Sequence, residues 1–234
     1  MLEGKTEIVN SQVGILSLNL PDARIQQPLR SYRMARNLTR PDEYILPEEL
    51  LGLRGPVTPE QFEEFCAKYD ELRLELTSTG ELIVMPPTLP ITGLRNASLT
   101  SQLWVWSEKD ATGLCFGNTA GFTLPNGAIR SPDASWIKNE RWEKLTPQQL
   151  DTFSPICPDF VVELRSKSDR LSVLFNKMSE YIANGASLGW LIDPSKRRIY
   201  VYRLNEEVVL LENPESVSGE PLLPGFTLKT ATLW

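Results

Sequence analysis

The sequence predicts a mixed α/β domain, a central β-sheet flanked by helices. Three observations predict it. Two Pro-Asp dipeptides, Pro132-Asp133 and Pro158-Asp159, each open an apolar β-like run: Ala134-Ser135-Trp136-Ile137 and Phe160-Val161-Val162-Glu163-Leu164. Helical spacing of apolar residues recurs over residues 58–69, 93–110 and 169–184. In chain order the elements read α-β-β-α-β-β-β-β-α-β-β-β.

Residues 1–57 form an N-terminal extension, punctuated by Pro21, Pro28, Pro41, Pro47 and Pro56, that wraps the domain or is partly mobile. The domain, residues 58–234, opens with Thr58 as N-cap and Pro59 at the first helical position. Phe62, Phe65, Cys66 and Tyr69 follow at helical spacing. Leu72-Arg73-Leu74-Glu75-Leu76 alternates as a half-buried strand does. A turn at Thr77-Ser78-Thr79-Gly80 leads into the returning strand, Glu81-Leu82-Ile83-Val84-Met85, which Pro86-Pro87 ends. A helix over 93–110 places Leu99, Leu103 and Trp106 on one side. Short strands near 114–116 and 121–124, a turn at Pro125-Asn126-Gly127, the Asp133 strand and a polar insert at 138–158 precede the second Pro-Asp strand. The helix over 169–184 carries Leu171, Leu174, Met178 and Ile182, with Gly185 as its stop and Ser166, Ser168 and Asp169 as its caps. Leu188-Gly189-Trp190-Leu191-Ile192 is an apolar strand. Ile199-Tyr200-Val201-Tyr202 and Val208-Val209-Leu210-Leu211 read as an antiparallel pair.

A chain of 234 residues that is 41% hydrophobic can bury a sizeable core. No run approaches the roughly 18 apolar residues of a membrane span, and Met1-Leu2-Glu3-Gly4-Lys5-Thr6-Glu7 lacks a signal-peptide layout. A cytoplasmic protein without membrane contact is expected. Cys66, Cys115 and Cys157 are odd in number and far apart, so buried thiols are expected rather than a disulfide or zinc framework. The net charge is −6, yet residues 160–203 carry eight cationic and four anionic side chains, a local +4. Such asymmetry points to an anionic partner or to a solvated basic face. Trp104, Trp106, Trp136, Trp190, Tyr200 and Tyr202 are spread over helices and strands, as core or interface residues rather than a base-stacking platform.

The chain has no histidine. That excludes serine-histidine and cysteine-histidine catalysis and His-ligated metals. Any metal chemistry rests on oxygen ligands, which favours magnesium, manganese or calcium. Two strands delivering carboxylates with a lysine close behind are what a metal-dependent phosphodiesterase needs. Asp133 sits where a Pro-Asp break can aim its side chain at a cleft, although Asp after Pro is also common in turns. Glu163 lies in a run fit for a buried central strand. A charge there costs several kcal/mol unless it is metal-bound or paired, for instance to Arg165 or Lys177. Asp159 shares the Glu163 face but lies roughly 13 Å away along a strand, too far to share one ion. Lys177 and Tyr181 are one helical turn apart on one face.

Several short segments, in this order and spacing, carry a resemblance. They are Gly80-Glu81-Leu82, Met85-Pro86-Pro87-Thr88, Ser131-Pro132-Asp133, Pro158-Asp159-Phe160-Val161-Val162-Glu163, Ser166 with Ser168-Asp169, Lys177-Met178-Ser179-Glu180-Tyr181, Gly189-Trp190-Leu191-Ile192-Asp193-Pro194 and Pro224-Gly225-Phe226. Residues 58–234 thereby resemble the bacterial restriction-endonuclease-like family (Uma-type, a former domain of unknown function) of the PD-(D/E)XK nuclease superfamily. The resemblance implies a restriction-endonuclease-like mixed sheet core and Mg-dependent endonuclease activity on DNA, with RNA as an alternative. It implies Asp133 and Glu163 as metal ligands for Mg2+, with Mn2+ as substitute, and a homodimer, for which the C-terminal apolar strands are the expected surface. The motif lysine two residues after the acid is Arg165 here, and the resemblance assigns the catalytic lysine to Lys177, with Lys167 as second candidate. Glu81 would be the early acid that completes the site. The family's glycine-histidine segment reads Gly93-Leu94-Arg95-Asn96 here. An alternative is a catalytically inactive nuclease-fold module that binds nucleic acid or protein.

Overall fold

In a computed structural model the described residues are 14–15, 47–85 and 87–234. In chain order they form β1 (Gly14–Ile15), α1 (Glu48–Leu51), α2 (Pro59–Lys68), β2 (Arg73–Leu76), β3 (Leu82–Met85), α3 (Pro90–Asp110), β4 (Gly113–Gly117), β5 (Phe122–Thr123), β6 (Ile129–Arg130), β7 (Ala134–Lys138), α4 (Asn139–Trp142), α5 (Pro147–Leu150), β8 (Phe160–Leu164), α6 (Leu171–Ala183), β9 (Leu188–Asp193), β10 (Arg198–Arg203), β11 (Val209–Glu212), β12 (Ser216–Ser218) and β13 (Thr227–Lys229). The expected wrapping or mobile extension falls, apart from Gly14–Ile15 and residues 47–57, outside the described residues. Leu50 and Val57 share one core cluster with Phe62 and Phe65.

The main sheet has seven strands in the order β1-β11-β10-β9-β8-β7-β4. Its centre is the unit β8-α6-β9, whose two strands run parallel, with Glu163 opposite Leu191. The other neighbours are antiparallel, so the sheet is mixed, as the sequence predicts. A second sheet, β3-β2-β6-β5, packs beside it. The two faces of β8 explain its unbroken apolar run. Phe160, Val162 and Leu164 join Leu99 and Leu103 of α3 in one cluster. Val161 joins Leu174, Met178 and Tyr181 of α6 in another.

Thr58 caps α2 with a full capping box to Gln61, as the Thr-Pro-Glu-Gln sequence predicts. Three expectations are corrected. Helix α3 begins at Pro90 rather than residue 93, because proline without its N–H fits the first helical position. The N-cap of α6 is Arg170 without a side-chain cap; Asp169 instead accepts from Ser166 N at 2.7 Å, which closes the preceding turn. The C-terminal strands do not offer an apolar dimer surface. Ile199, Tyr200, Val201, Tyr202 and Leu210 of the expected strand pair are buried in the chain's own core, while the large exposed apolar side chains on and next to α3 are Leu89, Ile91, Leu94, Trp104 and Val105. Of the aromatic residues weighed above, Trp136, Trp190, Tyr200 and Tyr202 are core and Trp104 is exposed. All three cysteines are free, with Cys157 fully enclosed.

Candidate active site

Asp133, Glu163 and Lys177 converge where the two sheets meet α6. Glu163 points from β8 towards α6. One of its oxygens, Oε1, accepts from Lys177 Nζ at 2.8 Å and from Tyr181 OH at 3.1 Å. Lys177 and Tyr181 meet it together because residues four apart share a helix face. Oε2 has no hydrogen-bond donor among the described residues. Asp133 immediately precedes β7. One step beyond the register Ala134↔Val162 it stands beside Glu163 on the neighbouring strand. Its backbone N–H donates to Val162 O at 2.9 Å. Its carboxylate accepts from Leu164 N at 2.8 Å and from Asn96 Nδ2 at 3.3 Å.

A third acid completes the cluster, and it is Glu75 rather than Glu81. Glu75, on β2, is only 2% exposed. It accepts from Lys177 Nζ at 2.8 Å, Ser131 N at 2.9 Å and Arg130 at 3.2 Å. Arg130 also donates to Glu180 at 2.6 Å. Glu81 precedes β3, where its backbone N–H donates to the Thr77 hydroxyl. Alternation made Glu75 read as the solvated side of its strand. The strand is instead covered on both faces, and the partners that allow a charge there lie 55 and 102 residues away in sequence. A charge between Leu74 and Leu76 was the one local signal.

The remaining candidates lie elsewhere. Arg165 donates to Asp193 at 2.6 Å, so of the two cations weighed as partners for Glu163, Lys177 is the one that pairs with it. Lys167 is exposed in the 165–170 turn. Asp159, at the far end of β8, accepts from Lys138 N and pairs with Arg141, each at 3.0 Å.

The electrostatics follow from burial. Burial opposes ionisation of Glu75, but the Lys177 and Arg130 charges and the Ser131 N–H outweigh it and hold its pKa below the usual range. Burial raises Glu163 to about 7, with the Asp133 and Glu75 charges adding to the rise and Lys177 opposing it. Burial also raises Asp133, against the Leu164 N–H and the Lys177 charge. Burial would lower Lys177, but Glu163 and Glu75 together raise it, so it stays an ammonium. Four carboxylates, Asp133, Glu75, Glu163 and Glu180, thus face two hydrogen-bonded cations, Lys177 and Arg130. Burial keeps part of that negative charge neutralised by proton on Glu163 and Asp133.

No set of three or more His, Cys, Asp or Glu side chains among the described residues is gathered to hold a metal ion. The donor set of Asp133 and Glu163 still fits magnesium, which takes hard oxygen ligands and is often held by one or two carboxylates while keeping several waters. The unengaged Oε2 of Glu163, on the acid beside Asp133, is the observation behind that fit.

A mixed sheet with adjacent acids just before β7 and in β8, and a lysine on the crossover helix, defines a restriction-endonuclease-like, nuclease-type protein. The family described as "Putative restriction endonuclease" (Uma2) matches residues 59–231, and the chain belongs to that family. Its fold is similar to a solved structure described as a putative nuclease belonging to DUF820 from Anabaena variabilis ATCC 29413. The TM-score is 0.60 at 20% identity, over 72% of this chain and 91% of that one. No curated protein matches the sequence. Among the described residues no helix is long and apolar enough to cross a membrane.

Proposed function

We propose that this chain is a metal-dependent endonuclease that hydrolyses phosphodiester bonds in DNA, with Asp133 and Glu163 holding Mg2+ and Mn2+ able to substitute. The observation that carries the reading is the meeting of these two carboxylates beside a buried lysine. The bound ion supplies activation of water and neutralisation of phosphate charge. Lys177 offers its ammonium to the phosphate or the nucleophile, and Tyr181 keeps Glu163 oriented. Cutting both strands calls for two sites, so a two-fold homodimer goes with this reading, as does a cytoplasmic location.

The test is cleavage of plasmid DNA, single-stranded DNA and RNA by the purified protein with Mg2+ or Mn2+, beside Asp133→Ala and Glu163→Ala. Metal-dependent cleavage of DNA that both substitutions abolish is expected. Cleavage of RNA alone would replace the substrate. The second reading, an inactive binding module, is favoured by Arg165, which occupies the motif-lysine position and is bound to Asp193. It becomes the better one if no substrate is cut and calorimetry detects no metal binding.

A further inference from the structure

Asn96 has one edge of its amide satisfied and the other not. It lies in the second turn of α3 and is 6% exposed. Nδ2 donates to Asp133 Oδ1 at 3.3 Å. Oδ1 is buried and accepts from no described residue. Turning the amide over would set its oxygen against the Asp133 carboxylate, so the carboxylate fixes the orientation. Both atoms sit on one amide carbon, which puts the unmet Oδ1 close to the Asp133 carboxylate. The other described side chains with buried unpartnered atoms are Arg95, Ser135, Trp136 and Trp190; none of them hydrogen-bonds a carboxylate of the cluster.

A buried acceptor without a donor is costly. Native interiors answer this by seating an ordered water, provided the position offers further polar partners. Here they are at hand, because the carboxylate that Nδ2 holds is itself an acceptor. The hydrogens of one water can then be shared between Asn96 Oδ1 and Asp133.

We infer that Asn96 is a positioning residue of this site: its Nδ2 sets the Asp133 carboxylate, and its Oδ1 holds an ordered water beside that carboxylate. The inference rests on the reading of Asp133 as a metal ligand. Groups that orient a ligating side chain act on metal affinity as well as on turnover, so the role can be read without any activity assay.

The experiment uses the full chain. Mn2+ affinity is measured by calorimetry for the wild type, Asn96→Leu and Asn96→Ala, and a metal-free wild-type crystal structure is determined at a resolution that shows ordered waters. Leucine keeps the branched heavy-atom shape and removes both polar atoms. The expected result is a water within hydrogen-bond distance of Asn96 Oδ1 and Mn2+ binding weakened about 10- to 100-fold in a variant that still unfolds cooperatively. An empty position at Oδ1, or variant affinities within about twofold of the wild type, would overturn the inference. A wild type that binds no Mn2+ would refute the metal reading of Asp133 and the inference with it; if neither variant folds, the presence or absence of the water at Oδ1 decides the inference.

Discussion

Glu163→Gln, in chelator, is expected to stabilise the protein at about pH 8 and to leave it unchanged near pH 4.5. Glu163 is 5% exposed, and burial raises its carboxyl from 4.5 to about 7. A raised carboxyl binds its proton more tightly in the folded chain than in the unfolded one. The stability it contributes is therefore complete below 4.5 and is lost as the pH rises through 7, about 3 kcal/mol in all. Glutamine does not ionise, and its oxygen still accepts from Lys177 and Tyr181. The variant keeps what the wild type loses, which for a chain of this size raises the thermal midpoint by about 6 to 12 °C above pH 7. Urea unfolding of both proteins at the two pH values measures it. Saturating Mn2+ should then close most of the gap, since ligand at about 100 times its dissociation constant stabilises the binding-competent protein by about 3 kcal/mol and the variant little. A variant no more stable than wild type at high pH, or an equal gain at both pH values, would refute the reasoning.

Arg130→Met should destabilise by about 3–5 kcal/mol at neutral pH, because it strips a buried cation from two carboxylates, and by less in acid, where those carboxylates protonate. A urea-measured loss below about 1 kcal/mol would contradict this. Gly113→Ala should cost more than Gly189→Ala. The first Cβ would stand 2.4 Å from Ile137 O and the Trp136 ring, while the second meets the movable end of Met178 at 2.5 Å; the reverse order of denaturation midpoints would count against it. Arg165→Lys, which restores the motif lysine, should leave the cleavage rate unchanged, because position 165 faces Asp193. A rate increase in the plasmid assay would show that the motif position itself participates.

What the sequence disclosed depended on whether the deciding interaction is local. Thr58-Pro59 and the 171, 174, 178, 182 spacing of α6 are set within a few residues; α2 starts at Pro59, and α6 forms within the predicted span, over Leu171–Ala183. The run 160–164 reads as a central strand because both of its faces are covered. The two-residue strand β6 escaped, since Ile129–Arg130 is too short to show a period. So did the role of Arg130 and Glu75, which depends on β2, β6 and α6 meeting in space. Glu163 was legible because a charge within an apolar run breaks the pattern that burial demands, whereas Asp133 and Lys177 were picked out by the family resemblance. Asn96 was not legible, because a polar residue in a helix otherwise reads as solvated.

Lys177 holds Glu75 and Glu163 at the same 2.8 Å, and that symmetry bears on how the site could work. A buried ammonium bound to one carboxylate alone would be stranded whenever that carboxylate turned to another cation, at a cost of several kcal/mol. Glu75 removes that obstacle. It is itself anchored by Arg130 and the Ser131 N–H, so it stays in place while the charge on Glu163 is shared elsewhere. Under the proposed reading, Glu163 can turn an oxygen to the metal while Lys177 keeps Glu75 as its partner. The same two carboxylates raise the lysine's pKa in the metal-free chain, which keeps it an ammonium at neutral pH. Lys177 is therefore suited to act as a fixed cation towards phosphate and not as a general base. Cleavage should show no loss of rate from lysine protonation as the pH falls from 9 to 7; a basic limb in the pH–rate profile that disappears in Lys177→Arg would show that the lysine gives up its proton after all.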